Sequence, residues 1–279
     1  MKTLLCVEQR NWDEIDRPTA AFRIGQPLLR RAVVVGSDGI EHGAARCAEA
    51  RALGIGIVLT DPDAMQRFCR DFSGDVEHRA VAVLRPRSTE EVTFAVKACR
   101  ALELGTIPQG GVSDGNNVRV ILSLECMNRI RQVDLDDFSA IVEAGCVLLE
   151  MKCQLASQGM FFPLALGAQG SCRIGGNVST NAGSVNVLRY AMTRELVLGL
   201  EVVLPDGSVF NGLSTMRKDN RGIDLKQLFN GAEGIFGIVT AVAIKLMPLP
   251  DKVETAMLGI NSLEDAIALY RRAAFSAAI

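Results

Sequence analysis

The sequence predicts an α+β chain, helices and strands mixed, built around a buried glycine-rich loop. Three observations point to it. The stretch 163–183, PLALGAQGSCRIGGNVSTNAG, holds Gly167, Gly170, Gly175, Gly176 and Gly183, and Arg173 is its only charged side chain. A segment so poor in charge belongs inside the protein, where its backbone N–H groups need partners. Successive amides can supply an anion with those contacts, and Ser171, Asn177, Ser179, Thr180 and Asn181 add hydroxyls and amides. The second observation is LVLGLEVVLPDGSVFNG at 196–212, two β-rich runs joined at Asp206 and Gly207, which is a hairpin pattern. The third is strand text followed by helix-start text, as in AVAVLRP at 80–86 and then Ser88 with Glu91 three residues on, a capping box.

Taken in order, residues 1–56 read least clearly. RRAVVVGSDGIEHG suggests a strand at 33–35, but its glycines lack the G-x-G-x-x-G spacing of a dinucleotide loop. Asp61 and Pro62 open a short helix, with Asp61 as N-cap. After the strand at 80–86, Val92, Val96, Cys99 and Leu102 share one helical face, and Gly105 is placed to end that helix. Pro108, Gly110 and Gly111 predict a sharp turn. VRVILSL, IRQVD and SAIVEAGC read as strands. A helix is expected over about 147–158, closed by Gly159. Asp224 is a candidate cap for LKQLF, and 234–250 reads as one long strand. A strand at 253–260 and a helix capped by Ser262 with Asp265 complete the chain.

Composition narrows the function classes. A length of 279 residues suffices for a large core. The net charge of -2 lacks the basic stripe that nucleic acid requires. No apolar run is long enough to span a membrane. The eight cysteines show no C-x-x-C spacing and no secretory signal precedes them, so reduced thiols in a cytoplasmic protein are expected. His42 and His78 are the only histidines. No metal site is expected.

Several blocks together carry a resemblance: RPRSTEEV at 85–92, IPQGG at 107–111, LSLECMNRI at 122–130, VEAGC at 142–146, FPLALGAQGSCRIGGNVSTNAGSVNVLRYAMTRELVLGLEVVLPDG at 162–207, and RKDNRGIDLKQLFNGAEGIFGIVTAVAIKL at 217–246. Over about 57–250 the chain resembles the FAD-binding (PCMH-type) domain of the vanillyl-alcohol oxidase type, in the branch of FAD-linked D-2-hydroxy-acid dehydrogenases. That branch includes D-lactate dehydrogenase, the glycolate oxidase flavin subunit and D-2-hydroxyglutarate dehydrogenase. The resemblance implies two α+β subdomains with FAD extended between them. It implies that the turn with Pro108, Gly110 and Gly111 brings amides to the pyrophosphate. Pro163, Gly167, Ser171, Gly175, Gly176, Asn177, Thr180, Asn181 and Gly183 would line the rest of the dinucleotide, with Gly237 and Ile238 adding backbone contacts. It further implies oxidation of a D-2-hydroxy acid to the 2-oxo acid by hydride transfer to the flavin, followed by an electron acceptor the sequence does not specify.

Arg217, in the RKDN segment, is a candidate for the substrate carboxylate, since a guanidinium matches a carboxylate through two parallel hydrogen bonds; a surface ion pair is the equal alternative. The family pattern also changes here in places. The pyrophosphate turn continues as VSDGNN, with Asp114 in it, and Arg221 and Ile223 replace a Thr and a Tyr. The expected organisation is a divergent extension at 1–56, the FAD-binding domain at 57–250 and the start of a truncated substrate (cap) domain at 251–279. No catalytic base is identified, because no histidine follows residue 78. The alternative reading is a non-catalytic fragment, or a split one whose partner chain supplies the cap domain.

Overall fold

The computed structural model describes residues 57–69, 80–109, 119–253 and 257–276, with side chains to 273. The extension at 1–56, its strand at 33–35, and Gly110, Gly111 and Asp114 lie outside the described residues. Two sheets organise the rest. The first has the order β1-β2-β4-β3, from β1 (Ile57–Leu59), β2 (Ala80–Arg85), β3 (Gly105–Gln109) and β4 (Arg119–Ser123). Strands β2, β4 and β3 run parallel, and β1 pairs antiparallel on β2. The second sheet is wholly antiparallel, with the order β5-β6-β10-β8-β9. Its strands are β5 (Ile130–Asp134), β6 (Ser139–Glu143), β8 (Val197–Val203), β9 (Val209–Gly212) and β10 (Ile238–Lys245). A two-residue strand β7 (Met160–Phe161) pairs with β11 (Met247–Pro248).

The caps fall where the sequence puts them. Asp61 accepts from the amides of Asp63 and Ala64 at the head of α1 (Pro62–Met65). Ser88 accepts from Glu91 N–H at the head of α2 (Thr89–Ala101), while the Glu91 carboxylate reaches back to Arg87 N–H. Helix α3 (Leu148–Ala156) is followed by Gly159 at φ +76°, a left-handed conformation that glycine adopts without strain. Gly207, at φ +79°, makes the β8–β9 turn.

Five expectations are corrected. Helix α2 ends at Ala101, and Glu103 (φ +53°) takes the left-handed position expected of Gly105, which instead opens β3. Pro108 lies within β3 rather than in a turn; β3 is an edge strand, where a missing N–H breaks no ladder bond. The Asp224 carboxylate caps nothing, because it is occupied by Lys226 Nζ and Gln227 Nε2. Strand β10 starts only at Ile238, after turns at Glu233 and Gly234, both at positive φ. At 253–260 the described residues form no strand; a helix follows at Leu263–Ser276, with Ser262 Oγ accepting from Asp265 N–H.

Apolar side chains of both sheets, α2, α3 and the glycine-rich stretch merge into one core, including Leu122, Val142, Leu148, Phe162, Ile174, Leu200 and Ile244. A polar seam crosses the second sheet. Glu143 is 1% exposed and binds Arg129 (3.0 Å) and Arg131 (3.3 Å). Arg131 continues to Glu201, which also accepts from Thr89 Oγ1 (2.6 Å) and Thr240 Oγ1 (2.9 Å). The seam therefore ties the start of α2 to β5, β6, β8 and β10. Burial pushes the Glu143 carboxyl up, but the bonds from Arg129 and Arg131 outweigh it and hold the group below its ordinary 4.5.

Because the folded value is the lower one, this stabilisation is complete above about 4.5 and is lost as pH falls through the folded value. We expect Glu143→Gln to cost about 3 kcal/mol at neutral pH, the lower end for breaking a buried pair, because Arg129 is 72% exposed and can turn to water. The variant should also lose less stability than wild type between roughly pH 5 and 3. Chemical denaturation across that range checks both, and an unchanged acid limb would remove Glu143 from the explanation.

Candidate functional site: a cleft at the sheet ends

A cleft opens where the two sheets' strand ends meet. From the first sheet it takes Pro108 and Gln109, at the carboxyl end of β3, and Leu124, just beyond β4. Ligands of parallel sheets gather at that end of the strands. The second sheet gives Ala144 after β6, and Gly237, Ile238 and Val239 at the head of β10. Gly175, Gly176, Ser179 and Thr180 form a third side, and Glu233 and Gly234 a fourth.

The glycine-rich stretch builds its side through a short helix, α4 (Ile174–Ser179). Two bonds dock it on the second sheet, Ile174 N–H to Cys146 O and Gly175 N–H to Ala144 O (2.8 Å). Gly175 permits this approach: a Cβ there would sit 2.7 Å from the Ala144 Cβ. Arg173 turns away from the cleft, donating to Gly145 O (2.7 Å) and pairing with Glu125. The opposite walls close similarly, since a Cβ on Gly234 would meet Pro108 Cγ at 2.8 Å. Glu233 N–H donates to Ser179 O (2.8 Å) and joins the third and fourth sides.

The cleft thus brings together six of the expected residues: Pro108, Gly175, Gly176, Thr180, Gly237 and Ile238. Among the other described candidates, none lines it. Pro163 O accepts from Asn186 Nδ2, Ser171 Oγ bonds Ala168 O, and Asn177 is buried. Asn181 Oδ1 accepts from Arg194 N–H, and Gly183 packs by Met192 and Val187. Gly167 has open space beside it. Ser179, one of the hydroxyls the glycine-rich stretch offered, is on the cleft too, whereas Gln109, Leu124, Ala144, Glu233, Gly234 and Val239 are residues that sequence reasoning did not assign to the site. Gln109 stood inside the IPQGG block, and Glu233 and Gly234 inside GAEGIFG, so the signal lay in blocks already singled out. Arg217 is in another, polar recess with Arg194, Asp219, Arg221 and Lys226. Its Nε and Nη2 donate to the carbonyls of Asp137 and Phe138.

The donor set suits a dinucleotide. Gly176 N–H has no partner among the described residues, the Ser179 hydroxyl is at hand, the Thr180 hydroxyl donates to Gly176 O (2.9 Å) and is left as an acceptor, and apart from Gln109 and Glu233 the remaining lining is apolar or glycine. Glu233 is the one ionisable side chain on the cleft among the described residues. Phosphates held here would therefore be met by amides rather than by cations.

Residues 80–212 match the family model of the FAD binding domain. Among curated proteins, the chain is 43% identical over 224 residues to the mitochondrial D-2-hydroxyglutarate dehydrogenase of Bos taurus, covering 77% of this chain and 41% of that one. It is 37% identical over 218 residues to the D-2-hydroxyglutarate–pyruvate transhydrogenase of Saccharomyces cerevisiae, covering 76% and 44%. The chain thus spans about two-fifths of the length of the curated relatives it matches. The berberine bridge enzyme of Eschscholzia californica shares the fold, with a TM-score of 0.61 at 19% identity over 74% of this chain and 43% of that one. No described helix is long and apolar enough to cross a membrane.

Proposed function

We propose that the chain holds FAD in this cleft as the cofactor domain of a D-2-hydroxy-acid dehydrogenase, organised as 57–250 between the 1–56 extension and the first part of a substrate domain at 251–279. The observation that carries the reading is the cleft itself, without a cation among the described residues that line it, with glycine backbone, the Ser179 hydroxyl and the unpartnered Gly176 amide near the carboxyl end of β3. Pro108, Gly110 and Gly111 would meet the pyrophosphate. Gly175, Gly176 and Thr180 would hold the middle of the dinucleotide, with Pro163, Gly167, Ser171, Asn177, Asn181 and Gly183 shaping the wall behind, and Gly237 and Ile238 would close the far side. Glu233 accepts hydrogen bonds and repels phosphate, so it belongs beside the hydroxyl or ring N–H groups of the cofactor. The flavin, when bound, accepts the hydride from the α-carbon of the hydroxy acid. The substrate is a small 2-hydroxy acid of the lactate, glycolate or 2-hydroxyglutarate class, and the relatives' names favour the last. A cytoplasmic setting belongs to the same reading; it is supported by described cysteines that form no disulfide.

Apolar side chains support a second element of the reading, a cap supplied by a partner chain or by further sequence. Ile235 (74% exposed) and Phe236 (56%) stand between cleft residues Gly234 and Gly237, and Met257, Leu258, Ile260 and Leu263 are also exposed. If no such cap joins it, the chain is a flavin-binding fragment without turnover.

Anaerobic addition of D-2-hydroxyglutarate, D-lactate and glycolate to the flavin-loaded protein tests the activity. Bleaching by one of them supports the dehydrogenase; bound flavin that none of them bleaches favours the fragment. Arg217 remains the proposed carboxylate partner, using Nη1. Arg217→Ala should then raise the apparent substrate constant by about tenfold, the worth of one charge-assisted bond. An unchanged constant with lowered thermal stability would leave Arg217 only the bracing of the β5–β6 turn.

A further inference from the structure

The first sheet and the glycine-rich stretch meet at one carboxylate. Glu125 follows cleft residue Leu124 at the carboxyl end of β4, and its side chain is 11% exposed. Guanidiniums from three separate segments face it. Arg67, in the 3-10 turn Gln66–Phe68 that follows α1, donates Nη2 to Glu125 Oε1 (2.8 Å). Arg85, the last residue of β2, brings Nε to the same oxygen. Arg173, at the head of α4, brings Nη2 to 3.7 Å from Oε2. These residues are tied in turn to three sides of the cleft. Arg67 leads into Phe68, whose carbonyl accepts from Nε2 of cleft residue Gln109 (2.9 Å). Arg173 donates Nη1 to Gly145 O (2.7 Å), next to cleft residue Ala144, and opens the helix that carries Gly175 and Gly176.

The charge of Glu125 decides the sign of the force across this junction. Arg85 Nε is shut away from water and makes no hydrogen bond among the described residues, so its ion pair with Glu125 compensates it. With the carboxylate in place, Arg67 and Arg85 on the first sheet's side and Arg173 on the glycine-rich side are all drawn to one centre. Without it, the same guanidiniums face one another as like charges, partly removed from water, and repel. The repulsion would act between Leu124 and Gln109 on one side and the Gly175–Gly176 wall on the other.

We propose that Glu125 is a positioning residue for the cofactor: its carboxylate holds the first sheet's edge of the cleft at a fixed spacing from the glycine-rich wall. The inference rests on FAD occupying the cleft. Glu125 does not line the cleft, so it acts through the residues it gathers. A ligand held between two walls binds best when their spacing is set before it arrives, because no ordering is then left to be done on binding.

The test is the dissociation constant of FAD, titrated by fluorescence quenching at a temperature where denaturation curves show each variant folded. Glu125→Gln, nearly the same shape without the charge, should raise the constant about tenfold, the worth of one charge-assisted bond. Arg173→Gln should raise it by a similar factor. It leaves Glu125 paired with Arg67 and Arg85, and it carries the test if Glu125→Gln does not fold. The double variant should bind FAD no more weakly than Glu125→Gln alone, since removing Arg173 also removes the repulsion; independent losses would instead multiply to about a hundredfold. Ser88→Ala, which removes a helix cap that is not on the cleft, reports what lost stability alone does and should leave the constant at the wild-type value. Multiplying losses overturn the inference, as does a rise in Ser88→Ala equal to that in Glu125→Gln, because a merely structural role gives those patterns. Wild-type constants in both Glu125→Gln and Arg173→Gln overturn the inference alone. Wild-type chain that binds no FAD overturns the cofactor reading and this inference with it.

Discussion

Gly176→Val should purify without flavin. Gly176 lies on the cleft between Gly175, docked against Ala144, and the hydroxyl pair Ser179 and Thr180, and its own N–H is left for a ligand. A branched side chain there fills the space the cofactor backbone would take and turns a hydrogen-bonding surface into an apolar one. Overpacking costs about 1–3 kcal/mol, and the upper end corresponds to about 100-fold weaker binding. Denaturant unfolding of the same variant separates loss of the cofactor from loss of the fold. Flavin absorbance per protein, with an FAD titration by fluorescence quenching, checks this. Wild-type stoichiometry in the variant would contradict the placement of the site.

The second large effect falls on the fold. In Gly145→Ala the new Cβ would lie 1.9 Å from Leu124 O and 2.7 Å from Met127 O, both backbone atoms that cannot swing aside. Gly145 is pinned at that spot, donating its N–H to Met127 O (2.8 Å) and accepting from Arg173 at its own carbonyl. We expect a loss of about 3 kcal/mol or more. The cleft should suffer too, because Leu124 and Ala144 line it. Denaturant unfolding gives the number; a change within about 0.5 kcal/mol, typical of a surface substitution, would mean that the 124–127 turn relaxes freely.

These two glycines show what the sequence makes legible. The VEAGC block placed Gly145 among the informative residues, but the reason, a carbonyl beneath it from a turn 21 residues earlier, belongs to tertiary structure. Local chemistry was readable: Asp61, Ser88, Gly159, Gly207 and Ser262 all act where their residue types predict. Helix α4 was not, because IGGNVS holds two glycines that disfavour helix; the docking of Ile174 and Gly175 on the second sheet overrides that preference. Pro108 read as a turn because proline removes a ladder donor, yet at a sheet edge nothing is lost. Side-chain direction was hidden as well. The amides of Asn177 and Asn181 are the expected type at the expected place, but Asn177 is buried and Asn181 holds Arg194. Glu103 at positive φ has no composition signal, since the αL position one expects of glycine two residues later falls on a glutamate.

The central claim is that the cleft holds FAD, and the most direct test is the visible spectrum of the purified chain, followed by titration with FAD. The account predicts flavin absorbance bands, shifted from those of free FAD, that saturate at one flavin per chain and are lost in Gly176→Val. A chain that folds, shows no such bands and leaves the spectrum of added FAD unchanged would contradict it.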